Sequence, residues 1–187
     1  MRGEQKSLEL WRKEMIEDAQ KGYTMPLAGA VYFFVVGVLS FYLQPTTLSF
    51  IWIVGMGSVF PLGILFSKSL GVNLMAKGNP LGTLGGIVGG TQAFFIPVYI
   101  VAMTVAPDWL PVTIGILGGS HFLPYVWIYD SPTYLFIAVG MGLVSLGIGV
   151  FYLEGSYQLL PFLLMGIYLI GVLGLRMEQR RFHHRNL

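Results

Sequence analysis

The chain has no cysteine, which excludes disulfides, thiolate nucleophiles and cysteine-ligated metals. It is also short of charge. Asp, Glu, Lys and Arg make up 11% of its 187 residues, against roughly 25% in soluble domains. Between Gly22 and Leu175 the ionised side chains are Lys68, Lys77, Asp108, Asp130 and Glu154, each at the end of an apolar stretch. That distribution leaves no room for a separate soluble domain and points to lipid as the solvent. The same lack of acids at depth removes the carboxylates that membrane hydrolases use. No phosphate-binding loop, dinucleotide fingerprint, zinc-protease motif or pore-filter signature occurs. No segment alternates polar and apolar residues over about ten positions, the pattern of a transmembrane barrel strand. No cofactor, catalytic residue, metal site or nucleic-acid partner is expected.

What is present is hydrophobic length. A membrane helix needs about 20 residues to cross about 30 Å of hydrocarbon. Six segments reach that length: 25–43, 48–66, 81–105, 109–128, 133–153 and 157–175. Their connectors are mostly tight turns, and Asp108 and Asp130 stand where they would cap the helices that follow. Unpaired backbone cannot sit in lipid, so such helices must form one bundle. The expected fold is all-α: a polytopic membrane bundle of six transmembrane helices preceded by an amphipathic surface helix. Residues 1–22 form the amphipathic cytoplasmic or interfacial helix, 23–175 the bundle, and 176–187 a basic cytoplasmic tail.

The leading segment places Leu8, Trp11, Met15, Ala19 and Tyr23 on one stripe, at about 100° per residue. Glu9, Lys13, Glu14, Glu17 and Lys21 fall away from it. Trp11 suits the headgroup level of a membrane; the alternative is a solvated helix packed on the protein's own face. The segment is too long and too acidic to be the basic start of a cleavable signal, so the first span is expected to stay in the mature protein. Orientation follows from the basic residues. All eleven lysines and arginines fall on the side of the termini, while the opposite side has only Asp108 and Glu154. Both termini are therefore expected to be cytoplasmic. His183 and His184 in the tail lack a third ligand and read as a headgroup contact rather than a metal site.

Three consecutive spans share a pattern of small residue, polar residue, aromatic and proline. They contain Gly57-Ser58-Val59-Phe60-Pro61, Gly89-Gly90-Thr91-Gln92-Ala93-Phe94-Phe95-Ile96-Pro97, and Gly118-Gly119-Ser120-His121-Phe122-Leu123-Pro124. Each proline frees a carbonyl one turn earlier, and the glycines allow close helix approach. Gln92 lies fourteen residues before Ala106, and His121 thirteen after Asp108. At a rise of about 1.5 Å per residue both sit about 20 Å from the turn, at one depth. An ionisable group inside a membrane is costly and defaults to a functional candidate; its alternative role is hydrogen-bonded glue. The expected ligand-binding set is His121, Gln92, Thr91, Ser120 and Tyr125, with Tyr99 and Tyr129 extending it and Pro97 and Pro124 as hinges. Residues 50–57 also echo 136–142, three spans on, which is the relation an inverted duplication leaves in a transporter.

The stretch Gly119-Ser120-His121-Phe122-Leu123-Pro124-Tyr125, followed by Trp127-Ile128-Tyr129, resembles a group of small bacterial six-helix membrane proteins known as a domain of unknown function. The resemblance implies a single six-helix domain in a bacterial inner membrane and carries no activity or ligand. The residues themselves favour a small transporter or channel for a small solute or ion with a mid-membrane polar site. The alternative is a non-transporting membrane partner, sensor or subunit acting through protein contacts. A membrane enzyme using His121 as base comes last. Besides the lipid bilayer, a second copy of the chain is the expected partner, joined as a homodimer through a glycine-rich face.

Overall fold

The computed structural model describes residues 7–185. Residues 1–6 and 186–187, which include Arg2 and Lys6 of the basic count, lie outside the described residues. Nine α-helices are present among the described residues, and no strand. They are α1 (Leu8–Ala19), α2 (Thr24–Leu39), α3 (Pro45–Ser69), α4 (Pro80–Gly90), α5 (Ile96–Val105), α6 (Leu110–Ser120), α7 (Leu123–Ile128), α8 (Pro132–Phe151) and α9 (Ser156–Arg185). Proline opens α3, α4 and α8, the position where its missing N–H is not needed. Asn79 caps α4 by accepting from the Leu81 N–H at 2.9 Å, and its amide donates to the Trp11 carbonyl at 2.7 Å. The aspartate caps expected from the sequence do not form. The residues preceding α6 and α8 are Trp109 and Ser131, and neither side chain caps its helix.

Five stretches are long and apolar enough to cross a membrane: 8–39, 45–69, 80–105, 132–151 and 153–184. The segment expected as an unbroken fourth span is instead two short helices, α6 and α7, parted at His121 and Phe122. The third is tightened to a 3-10 stretch, Thr91–Phe95, between α4 and α5. In each case a proline stands at the second position of the helix that resumes, Pro97 or Pro124. A proline ring displaces the carbonyl one turn back and donates no hydrogen bond. Yet Pro61 lies within an uninterrupted α3. The interrupted helices differ in carrying paired glycines, Gly89-Gly90 and Gly118-Gly119, whose helix propensity is about 1 kcal/mol per residue below alanine.

α2 packs between α9 and α3, and α6 lies on α8, which also meets α9. The interrupted α4–α5 helix sits at the margin of this group, and its α4 half scarcely touches α3. Trp52, Phe33, Leu160, Leu164, Ile114 and Met141 are buried at the centre. Outward-facing positions are as apolar as the core, with Phe94, Val105, Val54 and Phe151 each more than 70% exposed. A surface of that kind is compatible with lipid and unusual for a chain dissolved in water.

α1 folds back on the bundle. Met15, Ile16 and Ala19 are buried, and Asp18 receives the Asn73 backbone N–H at 3.1 Å. The chain then passes through three successive left-handed residues, Gln20, Lys21 and Gly22. Gly22 is required there: a Cβ would stand 2.9 Å from the Tyr129 hydroxyl. This turn corrects the sequence-based placement of Lys21 on a solvated helix face. Taken out of helical register, Lys21 points inward and is buried. Its Nζ donates to the carbonyls of Tyr129 (3.0 Å) and Asp130 (2.9 Å) and pairs with the Glu178 carboxylate at 3.1 Å. Thr133 donates to the other Glu178 oxygen from both its hydroxyl and its backbone N–H.

One pH-dependent outcome follows from this junction, which lies beyond the apolar stretch that ends at Leu175. Burial pushes the Glu178 carboxyl up, but the Ser131 and Thr133 hydroxyls and the Lys21 ammonium outweigh it and hold the group below its ordinary value of 4.5. A carboxylate depressed on folding stabilises the fold above its unfolded value, and that contribution is lost as pH falls through the folded value. Thermal unfolding in detergent is therefore expected to shift down as pH falls below 4.5. In Glu178→Gln that portion of the acid dependence should be absent; an unchanged acid profile in the variant would place it elsewhere.

Candidate functional site

The two interruptions lie side by side, and each presents a polar side chain to the other. Gln92 Nε2 and His121 Nε2 are 2.7 Å apart. His121 Nδ1 bonds the Gly118 carbonyl of its own helix. A carbonyl only accepts, so Nδ1 carries the ring proton, and Nε2 offers its lone pair to the Gln92 amide N–H. The imidazole is thus neutral with both nitrogens engaged, and it has no free site from which to act as a base. The amide, by contrast, keeps its carbonyl and its second N–H.

Beside this pair lies a cavity of about 420 Å³ reaching from the α1–α2 junction to α5. Gln92, His121 and Tyr125 line it, as do Tyr99 and Tyr129. The Tyr125 hydroxyl donates to the Gly85 carbonyl at 2.6 Å, tying α7 to α4. Thr91 and Ser120, expected in the same set, are not brought there. Both are exposed, and their hydroxyls turn back to carbonyls of their own helices, Val88 at 2.6 Å and Leu117 at 2.8 Å. Hydroxyl side chains in apolar helices have this local acceptor always within reach. Pro97 and Pro124 do not line the cavity; they stand where the helices resume.

Several lining residues lie far from the motifs in the chain. Phe122, Tyr125, Tyr129 and Tyr134 form a stack whose neighbouring centroids are 5.5–6.3 Å apart, and Tyr168 and Phe33 continue it from α9 and α2. The spacing of Phe122, Tyr125 and Tyr129 is that of one helical face, which was the available signal for the first three. Nothing local marks Phe33, Tyr134 or Tyr168, which arrive by packing. Among the described residues, none that lines the cavity is Asp, Glu, Lys or Arg. Among the described residues no three His, Cys, Asp or Glu side chains converge as a metal site.

The exposed part of the lining comes from α3, the α3–α4 connection (Met75) and the end of α4. Gly57 and Phe60 of α3, Gly90 at the end of α4 and Ala93 beyond it all line the cavity and are exposed at the outer surface. Gly57 is near the middle of the 25-residue α3, so part of the exposed lining lies at mid-height between α3 and the interrupted α4–α5 helix.

The chain belongs to a family of unknown function (DUF7010), whose family model matches residues 8–178. No curated protein and no solved structure matches it.

Proposed function

We propose that this member of DUF7010 crosses a bacterial inner membrane six times, with both termini cytoplasmic, and binds and moves a small solute through the cavity beside Gln92 and His121. α6 and α7 together supply the fourth crossing in chain order. α1 lies at the cytoplasmic interface, and residues 176–187 form the basic tail. The distribution of all eleven lysines and arginines to one side supports the orientation. The observation that carries the reading is the cavity itself: a large opening at mid-height, where two interrupted helices expose a glutamine and a histidine. Broken helices flanking a mid-membrane site are the organisation of small transporters. An ion is the less suited cargo, because no charged side chain among the described residues lines the cavity to replace its hydration. Pro97 and Pro124 act as hinges in this reading, since helix resumes at each without a restoring hydrogen bond one turn back. Gly142, Gly147 and Gly166 have open space over their Cα atoms, room for a second copy of the chain in a homodimer.

The test is His121→Ala in proteoliposomes, scored by uptake of a panel of radiolabelled uncharged solutes. Loss of the ring should remove flux by on the order of tenfold, the effect of one lost hydrogen bond, because Gln92 loses the partner that orients its amide in the cavity. Stability should fall by only about 0.6 kcal/mol, the usual worth of an interhelical polar contact in lipid. A second reading, a membrane partner or sensor acting through contacts, is favoured by one observation: both His121 nitrogens are already satisfied within the protein. Unfolding of His121→Ala, with no flux by the wild type, would select it.

A further inference from the structure

Few polar groups in the cavity remain unspent. His121 uses both ring nitrogens, and the Tyr125 hydroxyl is committed to the Gly85 carbonyl. Tyr129, Tyr134 and Tyr168 are only 2–4% exposed, and the Tyr99 hydroxyl is enclosed, so these rings offer a ligand no polar contact. Gln92 differs. It is partly exposed, and His121 takes only one of its amide hydrogens. Among the described residues its carbonyl oxygen has no donor and its second N–H no acceptor. A ligand here therefore meets one fixed polar edge, which accepts one hydrogen bond and donates another.

The accessible walls are apolar and partly bare. Met56, Val59 and Phe60 stand on the α3 side, and the backbone of Gly86, Gly89 and Gly90 on the α4 side. A Cβ at Gly90, or at Gly57 of α3, would meet nothing within 4 Å, and one at Gly86 only Met75 Cε at 3.9 Å. Space left where two helices present backbone instead of side chains is a slot, which admits a flat group more readily than a branched one. His121 and Tyr125 add two rings set nearly perpendicular, their centroids 6.2 Å apart, and both ring faces and ring edges favour an aromatic partner. Methionine thioethers pack well against such rings. With no charged side chain in the lining among the described residues, a charged ligand would lose its hydration with nothing in exchange.

We infer that the cavity takes an uncharged, flat ring system with one amide edge, a lactam or an aromatic carboxamide. Its N–H donates to the Gln92 carbonyl, and its C=O accepts the second Gln92 N–H. This rests on the solute-binding reading above and names the class of ligand for the same site. An amide edge fits because it carries one donor and one acceptor side by side, while the rest of the ring needs no polar partner. A ketone or ester of the same shape would set a lone pair against the Gln92 carbonyl.

The experiment uses the full chain in lipid nanodiscs, with empty nanodiscs as the blank and 2-quinolinone as the probe, followed by calorimetric titration. The wild type should bind it saturably. Coumarin has the same bicyclic shape with a ring oxygen in place of the N–H, and should bind about fivefold to tenfold more weakly, the effect of one lost hydrogen bond. The 2-naphthoate anion should not bind. Gln92→Met keeps the length of the side chain without the amide, so it should lose the preference between the two bicycles. Gly86→Leu fills the slot and should bind neither. If either variant fails to fold, the comparison of the two probes on the wild type still decides. Uptake no greater than in empty nanodiscs, equal affinity of the wild type for 2-quinolinone and coumarin, or tighter binding of 2-naphthol or 2-naphthoate would each overturn the assignment. Quinolinone binding without flux of any solute removes transport and leaves this assignment standing. Solute flux lost in His121→Ala, with no quinolinone binding by the wild type, does the reverse.

Discussion

Lys21→Met is expected to destabilise the protein by about 3–5 kcal/mol, the scale for removing one partner of a buried ion pair. The ammonium at this position satisfies three groups at once: the carbonyls of Tyr129 and Asp130 and the carboxylate of Glu178. Methionine fills a similar volume and satisfies none of them. Two carbonyls are left without a donor, and a partly buried carboxylate is left without its counter-charge. The damage should be structural as well as energetic, because Lys21 is where the α1–α2 junction meets the α7–α8 connection and α9. Tyr134 reinforces the same junction by donating to the Lys21 carbonyl at 2.7 Å.

Glu178→Gln should cost clearly less than Lys21→Met. The amide oxygen still accepts from Thr133, and the ammonium still reaches both carbonyls. Combining the two substitutions should cost less than their sum, since the second removes a group that the first had already stranded. Thermal unfolding of the three proteins in one detergent decides it. Equal effects of the two single changes would mean that Lys21 is solvated and that its carbonyl contacts contribute nothing.

Gly119→Leu is expected to cost about 3 kcal/mol or more, the upper range for overpacking a well-filled interface. A Cβ at this position would stand 2.9 Å from both the Ala138 carbonyl oxygen and Met141 Cβ. The first is backbone of α8, so no rotamer change can relieve the contact; α6 and α8 must separate. Their separation also carries away the end of α6, where Gly118 holds the His121 ring. The adjacent glycine supplies the control. A Cβ at Gly118 would meet only methionine methyl groups, at 3.8 Å and 4.0 Å, so Gly118→Ala should be tolerated. Folded yield and thermal unfolding of the two variants should differ sharply, and similar behaviour would mean that α6 does not lie this close to α8.

The depth of the site was legible in the chain because helical rise is constant. Counting outward from the Ala106–Asp108 turn brought Gln92 and His121 to one level, and they meet at 2.7 Å. The identity of their neighbours was not legible in the same way. Thr91 and Ser120 flank the pair in the chain, but successive helical residues point about 100° apart. Their hydroxyls also had acceptors in the turn behind them. Lys21 was misplaced for a related reason. Periodicity assigns a residue to a face only while the helix continues, and the left-handed turn at Gln20–Gly22 ends it.

Hydrophobic length and the scarcity of interior charge by themselves determined an all-helical chain with spans suited to lipid. Proline position determined where most helices begin, because a residue without an N–H belongs in the first turn. Only the tertiary structure decided that Phe33, Tyr134 and Tyr168 join one cavity with the residues of the interrupted helices, and that Lys21 is buried. Those facts depend on how helices distant in the chain rotate and approach one another. The aromatic and small residues that govern such packing look alike in a sequence whether they face a neighbour, a cavity or lipid.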